Sequence, residues 1–303
     1  MIRSISIDDA EYPQILKTIH APPHRLYING SLKEEDSNAV GIVGSRRATR
    51  YGLEMAERLA FDIASYGVTV VSGMARGVDS AAHSGALKAR GRTIAVMGSG
   101  HGHIYPPENK DLYAKIARNG AVITEFEDAM EPLAWNFPIR NRIISGLSLG
   151  LIVVEAARNS GALITADYAL EQGREVFSVP GKISSATSSG TNELIKDGAK
   201  LIQTADDVLE ELKLHKVQAV SADIKDLIDG KISKKTRAYV YNSLTDDEKK
   251  VYKILSDEPV YIDDVVEDSK VEPGRIAKVL LSLQIKRIIK ELPGKNFVRT
   301  ENV

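Results

Sequence analysis

Two aromatic rings and two arginines stand within eight residues of this sequence, from Trp135 to Arg142. An aromatic ring can stack on a nucleobase, and a guanidinium group can hold a phosphate through two parallel hydrogen bonds. The segment follows a predicted strand and precedes a predicted helix, and its neighbours Asn136 and Pro138 favour a loop that exposes Phe137. We therefore predict that this segment binds a polyanion.

Glycine, serine and arginine also follow several other apolar runs of the chain. Glycine lets the backbone approach an anion closely, and the N-terminus of a following helix offers unpaired N–H groups to it. We expect these strand ends to form one site, with arginine and lysine on phosphates and Phe137, together with Trp135, on bases. The predicted site residues are Ser45, Arg46, Ser72, Gly73, Gly98, Ser99, Trp135, Phe137, Arg140, Asn141, Arg142 and Lys182.

The composition limits the class of protein and the origin of any affinity for nucleic acid. A chain of 303 residues is long for one core, so we expect about two domains. The formal net charge of −1 requires that nucleic-acid binding come from a local site rather than from a general positive field. The absence of cysteine excludes disulfides and thiolate metal sites. Without a secretory segment or an apolar run of membrane-spanning length, we expect a cytoplasmic protein with no membrane partner.

Short apolar runs alternate with helical patterns between residues 39 and 202. Such continuous runs indicate strands that are buried on both faces, and the intervening helices supply crossovers for a parallel sheet. The pattern predicts a doubly wound, mostly parallel, extended Rossmann-like α/β sheet, which binds ligands beyond the carboxyl ends of its strands. The runs are Val40–Val43, Val68–Val71, Thr93–Met97, Ala121–Thr124, Leu151–Val154, Val176–Val179 and Lys200–Ile202.

The rest of the chain divides into three further segments. Residues 1–38 are too short for a core of their own, so we expect an arm that packs on the Rossmann-like domain of residues 39–212. Residues 213–243 are polar and predict a basic linker. Its cationic side chains are Lys231, Lys234, Lys235 and Arg237.

Residues 244–303 predict a small helical domain that ends in a hairpin. Thr245 is expected to cap a first helix, and further helices are predicted at 262–267 and 273–283. Strands at 285–292 and 296–299 flank the turn at Pro293-Gly294. Three helices followed by a hairpin are typical of a winged helix.

Common cofactor motifs are missing from the sequence. Gly41 to Arg46 lacks the G-x-G-x-x-G spacing of a dinucleotide loop, and no P-loop is present. His101 and His103 have no nearby acid or thiol that completes a metal site. Glu155, at the end of a buried run, is expected to orient an arginine. We find no nucleophile, base and orienting acid in a recognisable pattern, so we expect a binding protein without a cofactor and not an enzyme.

The order of the motifs resembles the DNA-processing protein A family, also called DprA or Smf. The resemblance covers about residues 12–212, and the last domain is similar to that family's winged-helix (DML1-like) domain. The motifs that carry it are Gly44-Ser45-Arg46, Ser72-Gly73-Met74-Ala75-Arg76-Gly77-Val78-Asp79, Gly98-Ser99-Gly100, the run from Phe137 to Ser148, the run from Ser160 to Ala166, and Val179-Pro180-Gly181.

The resemblance implies a sequence-independent single-stranded DNA-binding protein. Such proteins protect incoming strands during natural transformation and help to load the RecA recombinase. The family's arginine in Gly-Ser-Arg corresponds to Arg46, and its Phe-Pro-x-Arg-Asn-Arg motif supplies Phe137, Arg140 and Arg142. The resemblance also implies a homodimer formed through residues 194–212. Two departures are an expected lack of a sterile-alpha-motif-like domain before Tyr12, and Ala134 where the family often has a basic residue.

Two alternatives remain open from the sequence. Pro180-Gly181 and the segment Gly190–Glu193 resemble the Pro-Gly-Gly-x-Gly-Thr-x-x-Glu loop of nucleoside-monophosphate phosphoribohydrolases, although eight residues separate the halves here. The second alternative makes the winged helix the main reader of duplex DNA, with Arg275 and Lys278 on its recognition helix. Each alternative predicts a different location for the functional side chains.

Overall fold

The computed structural model describes residues 2–214 and 245–299, apart from residues 257, 270, 286–288 and 293. Contacts divide the chain into a first unit, Met1–Ala219, and a second unit, Val220–Val303. The predicted basic linker at 213–243 lies outside the described residues, apart from residues 213 and 214.

One sheet organises the described part of the first unit. Its strands are β1 (Ile2–Ser6), β2 (Arg25–Gly30), β3 (Ala39–Val43), β4 (Thr69–Ser72), β5 (Thr93–Val96), β6 (Ala121–Thr124), β7 (Gly150–Val153), β8 (Glu175–Ser178) and β9 (Lys200–Leu201). Their order is β1-β2-β6-β5-β4-β3-β7-β8-β9, and every neighbouring pair from β6 to β9 is parallel. This confirms the mostly parallel, doubly wound α/β sheet, and each predicted strand agrees with an observed one to within a residue at either end.

The N-terminal arm belongs to this sheet. Strand β1 pairs with β2, and β2 pairs with β6, both antiparallel. Tyr12, between the two strands, is buried and donates a hydrogen bond of 2.6 Å to the carbonyl oxygen of Pro23. The first 38 residues therefore extend the edge of the sheet.

Helices cover both faces of the sheet. They are α1 (Gln14–Lys17), α2 (Arg50–Ser65), α3 (Val78–Lys88), α4 (Lys110–Asn119), α5 (Asn136–Gly146), α6 (Gly161–Glu171), α7 (Ser189–Lys196) and α8 (Ala205–Glu211). One apolar cluster joins α1, α5 and α6 to the sheet, and a second joins α2, α3 and α8 to the opposite face. Strands buried on both faces explain why their sequences are continuously apolar.

The direction of the crossovers reverses between β3 and β7. The chain passes from β3 through β4 and β5 toward one edge of the sheet, and from β7 through β8 and β9 toward the other. The connections that leave β3 and β7 therefore diverge and open a crevice at the carboxyl ends of these two neighbouring strands. Ligands of doubly wound sheets bind at such a crevice.

The described part of the second unit is a winged helix. It contains α9 (Asp246–Ile254), β10 (Val260–Tyr261), α10 (Ile262–Ser269), α11 (Pro273–Ile285), β11 (Ile289–Leu292) and β12 (Asn296–Arg299). Thr245 caps α9 as predicted, since its side chain accepts a hydrogen bond from the backbone N–H of Glu248. The strand predicted from Ile285 begins instead at Ile289, because α11 continues to Ile285. Strand β10, which the sequence did not indicate, pairs with β12.

Candidate nucleic-acid interface

A pocket of about 670 Å³ occupies the crevice beyond β3 and β7. Its walls come from the loop after β3, the first turns of α5, the loop after β7 and the N-terminus of α6. Five of the predicted site residues line it, and these are Ser45, Arg46, Phe137, Arg140 and Asn141. The expected clustering of strand-end loops is therefore present for these residues.

Arg46 and the half-buried Phe137 lie side by side in the wall of the pocket. The guanidinium carbon of Arg46 lies 5.0 Å from the centroid of the Phe137 ring, and Arg46 is exposed. A guanidinium group at this distance is attracted by the negative face of the ring. Phe137 is the second residue of α5 and not part of a loop, which corrects our expectation from the sequence. A ring beside an exposed guanidinium group offers one surface to a base and one charge to a phosphate.

Gly98 leaves the space that the Phe137 ring occupies. A Cβ atom at residue 98 would lie 2.9 Å from Cδ1 of Phe137, which is closer than carbon atoms approach. Gly98 is itself buried, so its role is to make room for Phe137 and not to contact a ligand. The sequence indicated this glycine but not its function.

Arg140 is buried, which corrects the prediction that it binds a phosphate. Only 3% of its surface is exposed, and its Nη1 donates hydrogen bonds to the carbonyl oxygens of Gly73 and Val96, at the ends of β4 and β5. Residue 73 must be glycine because a Cβ would clash with Arg140 and lie 2.7 Å from Oδ2 of Asp79. Arg140 therefore holds two strand ends together beneath Phe137.

Asp79 and Arg140 share this buried environment. Burial raises the pKa of the Asp79 carboxyl, and burial lowers the pKa of Arg140 to about 10. Their mutual attraction opposes both pKa shifts. Because a pKa of about 10 lies well above 7, Arg140 stays cationic at neutral pH, and its charge favours the ionised form of Asp79.

Arg142 does not line the pocket, and its predicted phosphate contact stays a prediction. Its guanidinium group makes two hydrogen bonds to Glu125, of 2.6 and 2.7 Å, and a third of 3.0 Å to the carbonyl oxygen of Ala21. The side chain is 13% exposed. Arg142 joins α5 to the end of β6 and to the N-terminal arm.

The remaining predicted residues lie outside the pocket wall. Ser72 and Ser99 are buried, and their hydroxyls donate to the carbonyl oxygens of Ile42 (2.6 Å) and His103 (2.7 Å). These two serines are structural, contrary to expectation. Trp135 is 64% exposed just before α5, and Lys182 is exposed after β8, so both stay accessible to a longer ligand.

Glu155 organises the loop that carries Arg46. It is 2% exposed, and its carboxylate accepts hydrogen bonds from the N–H and hydroxyl of Thr49, each 2.8 Å, and from the hydroxyl of Thr187 at 3.2 Å. We expected Glu155 to orient an arginine, but its carboxylate binds these two threonines instead. Glu155 thereby connects the loop after β3 with the loop after β8.

The sequence did not single out several residues of the pocket wall. Tyr105 lines the pocket, and its ring centroid lies 5.6 Å from that of Phe137. Arg47 and Ser160 also line it, and the Ser160 hydroxyl caps the N-terminus of α6. A helix N-terminus is a favourable position for an anion. The Ser160-Gly161 cap and the second arginine of Arg46-Arg47 were the available signals.

The side chains on which the two alternatives depend lie elsewhere. Glu193 is absent from the pocket wall, and its carboxylate lies 3.5 Å from Nη2 of Arg158. In the second unit, Arg275 forms an ion pair of 3.1 Å with Asp247, while Lys278 is exposed. The described residues therefore add no support to either alternative.

None of the helices in the described ranges combines the length and the apolar character that crossing a membrane would require.

Comparison with known families and proteins places the chain among DNA-processing proteins. The family model for DNA recombination-mediator protein A matches residues 3–213, and the model for the DprA winged helix domain matches residues 237–295. DNA processing protein DprA of Bacillus subtilis is 44% identical over 218 residues, which cover 72% of this chain and 73% of that protein. Protein Smf of Synechocystis is 34% identical over 313 residues, which cover 96% of this chain and 79% of that protein.

Two of the solved structures that resemble this chain are of DNA-processing proteins. DNA processing protein A of Streptococcus pneumoniae has a TM-score of 0.68 and 41% identity, and the match covers 71% of this chain and 75% of that one. The protein from Helicobacter pylori, described for its single-stranded DNA binding mode, has a TM-score of 0.64 and 31% identity, with 70% and 96% covered. With its Rossmann-like sheet, its winged helix and these relatives, the chain belongs to the DNA recombination-mediator protein A (DprA/Smf) family.

Proposed function

We propose that this protein binds single-stranded DNA without sequence preference. The observation that carries the proposal is the exposed Arg46 guanidinium group, 5.0 Å from the Phe137 ring at the wall of the pocket. A ring can stack on any base and a guanidinium group can bind any phosphate, so neither group selects a sequence. The single-stranded DNA binding mode described for the Helicobacter pylori relative supports the same ligand.

We also propose the partners that the family resemblance implies. The bound strand is protected and passed to a RecA recombinase during transformation or recombination, and the protein acts by binding rather than by catalysis. RecA filament assembly on strands coated with this protein tests the transfer. A homodimer through residues 194–212 fits β9, an edge strand of the sheet with Leu201 exposed. Sedimentation over a concentration series measures that association.

Replacing Arg46 tests the DNA site directly. We expect Arg46→Ala to weaken binding of a labelled oligothymidylate and to reduce the slope of log affinity against log salt by about 0.7, the contribution of one phosphate on a single strand. Fluorescence anisotropy at several salt concentrations measures both quantities.

Two comparisons make this test specific. A duplex of the same length should bind more weakly, because its bases are stacked on each other and unavailable to Phe137. Arg58→Ala, which removes an exposed arginine near the middle of α2, serves as the matched charge control. An unchanged salt slope in Arg46→Ala would remove Arg46 from the site.

A further inference from the structure

A row of cations and rings continues past Phe137. The Tyr105 ring centroid lies 5.6 Å from that of Phe137, with an angle of 52° between the ring planes. The guanidinium carbon of Arg76 lies 5.9 Å from the Tyr105 centroid. Two rings therefore lie in a row between two cations. We call these four side chains, in the order Arg46, Phe137, Tyr105 and Arg76, the strip.

Hydrogen bonds join the two chain segments that carry Tyr105 and Arg76. Asn109 is the last residue of the short 3-10 helix that follows Tyr105, and its side-chain amide donates hydrogen bonds of 2.8 Å to the carbonyl oxygen of Met74 and to the hydroxyl of Ser80. Met74 and Ser80 flank the loop that carries Arg76. The segments bearing Tyr105 and Arg76 are thus fixed to each other before any ligand binds.

The guanidinium group of Arg76 is paired with the carboxylate of Glu108. The two side chains make a two-pronged ion pair, in which Nη2 of Arg76 lies 3.1 Å from Oε2 of Glu108 and Nε donates to Oε1. Each side chain is 51% exposed. A carboxylate and a phosphate present similar paired oxygens to a guanidinium fork, so Glu108 takes the position that a phosphate would take.

We propose that Tyr105 and Arg76 form a second nucleotide subsite, with Tyr105 stacking a base and Arg76 binding a phosphate in place of Glu108. This inference rests on the proposed single-stranded DNA function and extends it. The strand runs along the strip from Arg46 over Phe137 and Tyr105 to Arg76. Glu108 competes with the DNA, because a phosphate at Arg76 must displace its carboxylate and lie close to its negative charge.

Removing the competing carboxylate should strengthen binding. We expect Glu108→Gln to increase the affinity for an oligothymidylate by about threefold to fivefold, the scale of one exposed charge interaction. Arg76→Ala should weaken binding, and in the double variant Glu108→Gln should lose most of its effect, because Arg76 is the cation with which Glu108 pairs. Anisotropy titrations of the four proteins measure this cycle.

A second exposed ion pair provides the matched control. Glu57 pairs with Lys88 at the end of α3 away from the pocket, so Glu57→Gln changes the net charge equally but should leave the affinity unchanged. For the ring, Tyr105→Leu should weaken binding by about fivefold or more and reduce the quenching of a 2-aminopurine base, whereas Tyr105→Phe should preserve both.

The outcomes separate this subsite from the function on which it rests. If Arg46→Ala weakens binding while Glu108→Gln matches Glu57→Gln and Tyr105→Leu matches Tyr105→Phe, the subsite is overturned and the DNA function stands. If the unaltered protein binds no single-stranded DNA, the proposed function itself fails, and the subsite with it.

Discussion

Arginines of the same sequence motif have different roles in this protein. The residue types predicted rings and guanidinium groups at one site, and Arg46 and Phe137 do meet there. The motif alone could not show which arginines are buried. Helix α5 begins at Asn136, so Arg140 falls one turn after Phe137 on the same side and enters the core. Arg142 turns away toward Glu125. The phase of a helix relative to the core decides exposure, and that phase depends on tertiary packing.

Replacing Arg140 should therefore affect stability more than DNA contact. We expect Arg140→Met to lower the free energy of unfolding by about 2–4 kcal/mol, because two buried carbonyl groups lose their donor and the buried Asp79 loses a nearby cation. The exposed Arg46→Met should change it by less than about 0.5 kcal/mol. Urea unfolding followed by circular dichroism measures both. If Arg140→Met kept its stability and lost only DNA affinity, Arg140 would contact the strand.

The elements of the fold were more predictable from the sequence than the loops between them. Continuous apolar runs gave each strand from β3 to β9 to within one residue, since burial on both faces leaves a strong pattern. The sequence contains no comparable pattern that predicts the contact between the loop after β3 and the loop after β8. It depends on Glu155, which accepts hydrogen bonds from Thr49 in one loop and Thr187 in the other. Side chains distant in the sequence meet only after the sheet has formed.

Glu155 should act as a positioning residue for the Arg46 loop. In Glu155→Gln one acceptor oxygen becomes an amide donor facing groups that already donate, so we expect a loss of about 1–3 kcal/mol in stability and a weaker affinity for single-stranded DNA. The salt slope should stay unchanged, because no phosphate ligand is removed. Thr187→Val, which removes one of the three hydrogen bonds to Glu155 together with the hydroxyl contact to Ser185, should have a smaller effect on both. A flattened salt slope in Glu155→Gln would contradict a positioning role.

At the scale of the whole molecule, charge favours a local binding site in the first unit. The chain carries 40 lysines and arginines against 41 aspartates and glutamates, so DNA is not attracted by a general field. In the second unit, Asp247 already pairs with Arg275 of α11, and the first turn of α10 contains Asp263 and Asp264. The sequence predicted two units, but it could not show that a cation of the winged helix is already paired.

Removing the winged helix should therefore leave most of the DNA affinity in place. The first unit has its own apolar clusters on both faces of the sheet, which allows it to fold alone. We expect a chain that ends at Ala219 to bind an oligothymidylate within about threefold of the full chain, which is less than 1 kcal/mol. A chain that ends at Tyr241 retains the basic segment, so the difference between the two truncations measures what Lys231 to Arg237 contribute. Loss of all binding in both truncations, with circular dichroism showing them folded, would instead make the winged helix the principal DNA-binding unit.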